Sequence, residues 1–223
     1  MKVTQLSNRH KTTTALSLAV IVLACLTLCP MTHAVSPPPD GAYAGGNTAE
    51  GQNALLSLTS GTYNTGIGIF SLLSLTDGSF CTGIGAGALL ANTAGENTAT
   101  GAAALLSNTT GADNTANGTF ALFSNTIGQN NTATGASALQ SNTEGSDNTA
   151  IGRQALFSNT TGGSNTAIGD SALFNNTSGG LNTAVGLQAL ENNTTGSRNT
   201  ANGLSALKPV AVLRLPVVLF SRA

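Results

Sequence analysis

Leucine returns along this chain with a period that belongs to neither a helix nor a strand. It stands at Leu55, Leu72, Leu89, Leu105, Leu122, Leu139, Leu156, Leu173, Leu190 and Leu207. Each step is 17 residues except one of 16. Glycine keeps the same beat four positions earlier, from Gly51 to Gly203. An Asn-Thr pair (Cys-Thr at Cys81) opens each unit, and Thr and Gly recur near its end. The repeating unit is N-T-A-x-G-x-x-A-L-x-S-N-T-x-G-x-x. Fixed small and apolar positions set against variable polar ones divide the unit into an inside and an outside.

Seventeen residues are too few for a domain and too many for one strand. A coil advancing one rung per unit fits them. The fold class expected is mainly β: a β-solenoid or β-roll of about ten 17-residue rungs, with room for a short helical turn in each. The N-T-A-x-G stretch predicts a short strand, with Ile67, Ile84, Ile151, Ile168 and Val185 as its β-branched residues. Side-by-side Ala and Leu suit a corner or a helical turn, as in Asp170–Asn176. Stacked rungs would lie about 4.7–4.8 Å apart and span roughly 45–50 Å. Identical asparagines could then form amide ladders.

The repeat positions expected to carry the structure include Gly101, Leu105, Gly135, Leu139, Gly152, Leu156, Gly169, Leu173, Gly186 and Leu190. One Leu, one Ala, an Ile or Val in half the rungs and an occasional Phe make a thin core. A solenoid stabilised by neighbour stacking wants more, so a homo-oligomer is expected. Phe120, Phe123, Phe157 and Phe174 could serve that contact or fill the core within one chain.

Around the repeats, the organisation reads in four parts. Residues 1–34 have a basic start, an apolar run of about 15 residues and a small-x-small site ending at Ala34, the layout of a signal peptide. The run is short for a membrane span of about 20 residues. An uncleaved anchor and a lipidation site at Cys25 are the alternatives. Residues 35–46 are a Pro- and Gly-rich linker, 47–207 the repeats, and 208–223 a tail of foreign composition, either a cap or an out-of-frame end. Cleavage near Ala34 would leave a secreted or cell-surface protein.

Composition narrows the function. The chain has 8% charged and 4% aromatic residues, no Trp and 27 Gly. Its 8 Lys and Arg against 9 Asp and Glu leave no basic surplus for phosphates, so no nucleic-acid partner is expected. Both histidines precede Ala34, and the carboxylates fall at scattered repeat positions. The chain is therefore read as non-catalytic, without cofactor or metal. Beyond residue 34 only Cys81 remains, so no intrachain disulfide can form there.

Asn148–Gly152 and Asn165–Gly169, each N-T-A-I-G, resemble the short-strand motif of head repeats in YadA-like trimeric autotransporter adhesins. The whole unit is similar to repeats of bacterial surface and phage-tail-fibre-like proteins. The resemblance covers residues 47–207. It implies a β-roll or solenoid head or stalk, a trimer, and attachment to a host or matrix ligand of unknown identity. The adhesin unit is shorter, near 14 residues, and nothing after the repeats matches an anchor barrel or a chaperone domain. The function expected is adhesion through a repetitive extended surface. Two alternatives are an ice-binding solenoid using stacked Thr rows and a structural spacer or gene fragment without a ligand.

Overall fold

Each unit closes one rung, and the rungs stack through parallel pairing of identical positions. The computed structural model describes residues 44–207. The signal segment, most of the linker and the tail lie outside the described residues. Ten three-residue strands run in chain order: β1 Thr48–Glu50, β2 Thr65–Ile67, β3 Thr82–Ile84, β4 Thr98–Thr100, β5 Thr115–Asn117, β6 Thr132–Thr134, β7 Thr149–Ile151, β8 Thr166–Ile168, β9 Thr183–Val185 and β10 Thr200–Asn202. They form one ten-stranded parallel sheet in sequential order. Thr pairs with Thr at every step, as Thr132 with Thr149. The chain is a parallel β-solenoid.

The strand alternates in a way that corrects the sequence expectation. In Thr149–Ile151 the buried residue is Ala150, and Ile151 points outward, 41% exposed. The same holds for Ile67, Ile84 and Ile168, which stay about as exposed. The β-branched residues therefore belong to the outer face, not to the core. The core is built from two alanine columns and one leucine column, for example Ala133, Ala138 and Leu139, all fully buried.

No helix occurs among the described residues. Two successive turns replace the expected helical turn. In rung six Ala138 N–H donates to Gly135 O (3.2 Å), and Asn142 N–H donates to Leu139 O (3.1 Å). Leu139 has φ of +51° between them, and every other column leucine is likewise left-handed. That conformation places Cβ near the following carbonyl and costs about 1–2 kcal/mol per residue. Leucine burial, worth about 1.5–3 kcal/mol, is the offsetting term. The turn thus aims Leu inward beside its neighbour Ala, which a flat strand cannot do.

Glycine after the strand is required by its neighbour above as well as by its own φ. Gly135 has φ of +133°, and a Cβ there would lie 2.5 Å from Gly152 O. Gly101, Gly152, Gly169 and Gly186 occupy the same corner with φ between +126° and +135°. These corners recur in every rung, and Leu105, Leu139, Leu156, Leu173 and Leu190 are all buried.

Two columns of buried asparagine complete the interior. In one, Asn125 donates to Asn108 Oδ1, Asn142 to Asn125 and Asn159 to Asn142, each at 2.7 Å. In the other, Asn148 presents both its backbone N–H (3.0 Å) and its side-chain amide (3.1 Å) to Asn131 Oδ1. Both columns converge on one carbonyl per rung. Asn131 and Asn142 each donate to Gly145 O at 2.9 Å. Among the described residues, no buried side-chain nitrogen or oxygen lacks a partner. The apolar core is thin because hydrogen-bonded amides occupy the remaining space at little cost, every one being satisfied.

Rung three departs from the others. Its missing residue falls between Thr93 and Ala94. Ala94 offers the carbonyl that Gly offers elsewhere, receiving Asn92 Nδ2 at 2.7 Å. Cys81 stands in the asparagine column and directs its thiol to the same carbonyl at 3.3 Å. Burial pushes the Cys81 thiol up from its ordinary pKa, and hydrogen bonds from Asn97, Asn92 and Glu96 act against that shift. Asn97, lacking an asparagine below it, turns its amide to Asn92 Oδ1 (3.2 Å) and so links the two columns.

Candidate binding surface

With the interior filled, function has to be sought on the outward positions, and these form files running the length of the stack. Pairing in register makes every outward position of one rung the neighbour of its equivalent in the next. Ten strands about 4.8 Å apart give a sheet face about 43 Å long.

The sheet face carries two files. One is threonine in all ten rungs, from Thr48 to Thr200. The other is Glu50, Ile67, Ile84, Thr100, Asn117, Thr134, Ile151, Ile168, Val185 and Asn202. Both files are exposed or half-exposed, while the alanine or glycine between them is buried. Glu50, on the first strand, is the face's one charged residue.

The two threonine columns behave differently. In the loop column, Thr109 Oγ1 donates to Thr126 O at 2.8 Å, Thr126 to Thr143 O at 2.9 Å and Thr160 to Thr177 O at 3.0 Å. Those hydroxyls are spent on binding rung to rung. In the sheet column no threonine hydroxyl makes a hydrogen bond among the described residues. Sequence alone gave the two columns equal standing, because the difference lies in where the backbone aims each hydroxyl.

Other files carry apolar and charged groups. Leu73, Leu90, Leu106, Phe123, Phe157 and Phe174 follow the core leucines and are half-buried on the outside. Phe157 and Phe174 stack at 5.0 Å, and Phe120 meets Phe123 edge-on at 5.6 Å. None of these four belongs to the core cluster, so the reading in which they fill the intrachain core is corrected. Tyr63 and Phe80 stack at 5.4 Å on the corner that precedes the strands. The same corner bears Glu96 and Asp113, where the Asp113 side chain, by its hydrogen bond and its charge, raises the Glu96 carboxyl above its usual range. At the opposite corner Arg153 and Asp170 form an exposed ion pair at 3.7 Å, a contact worth little in water.

Among the described residues, no three His, Cys, Asp or Glu side chains gather as metal ligands. A cavity of about 440 Å³ opens at the Ala44–Thr62 end, lined by Ala49, Ala54, Leu55 and Leu58. It is the interior of the first rung, continuous with the core. Periodicity could have revealed the outward files, but it could not reveal which hydroxyls are free. No protein-family model matches the chain, and neither a curated protein nor a solved structure matches it.

Proposed function

We propose that this chain is an exported, non-catalytic surface or fibre protein that adheres through the repeated outer files of its solenoid. The observation that carries this reading is the in-register stacking of ten equivalent outer positions over an interior in which, among the described residues, every buried side-chain nitrogen and oxygen has a partner. Such a body presents many weak, identical contacts at fixed spacing, and their joint engagement multiplies affinity without any strong single site. Export rests on the three-zone start of residues 1–34. Homo-oligomerisation, with a trimer favoured by the resemblance to YadA-like heads, is part of the proposal. The half-buried apolar file from Leu73 to Phe174 is the surface it would use.

Deleting residues 131–164 removes two whole rungs and should leave the stack intact. Attachment of host cells carrying that variant, or lacking the protein, is the test. The expected result is a loss steeper than the fraction of rungs removed. Attachment unchanged in both strains overturns the reading. Light scattering on the exported protein tests the trimer, and a monomer at micromolar concentration removes it.

A further inference from the structure

We infer that the sheet face formed by β1–β10 is a docking plane for crystalline water. The inference goes beyond the proposed adhesion and rests only on its non-catalytic reading. The face is a two-dimensional lattice. Equivalent residues repeat about 4.8 Å apart between strands, and the two files lie about 6.6–6.8 Å apart along each strand. Ice presents water oxygens at comparable spacings in two directions.

Four observations select that ligand. First, the sheet-column threonines keep their hydroxyls free of hydrogen bonds among the described residues, while those of the loop column do not. Second, the partner file exposes methyl groups a soluble face would ordinarily avoid: Ile67, Ile84, Ile151 and Ile168 are 38–41% exposed. On β2, β3 and β7–β9 the free hydroxyls lie beside Ile or Val methyls, and on β4–β6 beside the uncharged Thr100, Asn117 and Thr134, which suits a surface that holds water in ordered positions without ionising anything. Third, charge on the face is confined to Glu50 at one end, with Arg153 and Asp170 on one flanking corner and Glu96, Asp113, Asp147 and Arg198 on the other. Fourth, the face is preorganised. Threonine, isoleucine and valine are stiff at χ1, and the asparagine columns behind the sheet lock each rung to the next. Preorganisation matters because a ligand with only weak contacts cannot offset the entropy of ordering its receptor.

Crystalline polysaccharide, the competing flat lattice, binds best against aromatic rings. The sheet face carries none. The rings of Phe120, Phe123, Phe157 and Phe174 belong to other files.

The test uses the full exported protein with polycrystalline ice, reading thermal hysteresis and partition into growing ice. Thr115→Lys puts a charge at the centre of the face, and Gln129→Lys puts the same charge on an exposed loop. Thr115→Ser keeps the hydroxyl and guards against a folding artefact, with circular dichroism confirming each fold. The expected result is hysteresis for the parent protein, reduced roughly fivefold or more by Thr115→Lys and little changed by Gln129→Lys. The inference is overturned if the folded parent is excluded from ice like an inert protein. It is also overturned if both lysine variants lose equally, or if the protein retains crystalline chitin or cellulose and not ice. Ice shaping without cell attachment would retire adhesion and leave this inference standing; attachment without ice shaping would do the reverse.

Discussion

Asn142 donates its side-chain amide to Asn125 Oδ1 at 2.7 Å, one rung away and wholly inside the molecule. The same amide also reaches Gly145 O at 2.9 Å. Two rungs are thereby held by a group that a soluble protein would ordinarily keep wet. Replacing Asn142 by Ala leaves Asn125 Oδ1 without its amide and opens a void. The expected loss is about 2–3 kcal/mol. Hydrogen exchange should localise it to rungs five to seven, since a repeat array need not unfold in one step. Uniform exchange across all rungs would contradict nearest-neighbour stacking.

Gly135 and Gly203 have nearly the same φ, +133° and +129°. Among the described residues, only Gly135 of the two has a rung close above it. A Cβ at Gly135 would meet Gly152 O at 2.5 Å, whereas one at Gly203 meets, among the described residues, only Ala206 Cβ at 4.0 Å. Gly135→Ala should therefore destabilise far more than Gly203→Ala, the shared φ penalty cancelling. Thermal midpoints of the two variants check this, and equal shifts would assign the whole effect to φ.

Cys81 interrupts an asparagine column, so restoring the column should help. Cys81→Asn places an amide within reach of Ala94 O and Asn64 Oδ1, adding about 1 kcal/mol. In the parent protein, burial and the raised thiol pKa predict slow alkylation that accelerates on unfolding. Fast labelling of the native protein by iodoacetamide would refute the buried placement.

Glu96 and Asp113 stack on one corner, and the Asp113 side chain, by its hydrogen bond first and its charge second, raises the Glu96 carboxyl in the folded state. A carboxyl raised on folding binds its proton more tightly in the native state. Its contribution to stability is present below the unfolded pKa and is lost as pH rises through the folded value. Stability should then fall slightly as pH climbs through the Glu96 transition. Asp113→Asn should flatten that dependence, as read by urea midpoints across the acid range. The pair is exposed, so the effect is small.

Much of this fold was legible because stacking forces identical residues together, and 17-residue repetition is visible without coordinates. The leucine column, the glycine corners and the amide ladders all follow from that. Ile151 shows where legibility ended. Hydrophobicity suggested the inside, but three-residue strands have one inward position, and the fully buried Ala150 holds it. The left-handed leucines were equally hidden, since propensity argues against them. The free and spent threonine hydroxyls differ only in backbone direction, which no period reveals.

The whole-rung spacing of the asparagine columns has an evolutionary consequence. Duplicating or deleting one 17-residue unit changes the number of identical junctions and leaves every surviving junction as it was. A slip of any other size would carry the amides out of line, unless it fell in the outer loop as it did before Ala94, beside Cys81, where the first column lacks its asparagine. Recombination between near-identical gene segments can therefore lengthen or shorten this molecule in heritable quanta. The character under selection becomes a copy number more than the identity of any single residue.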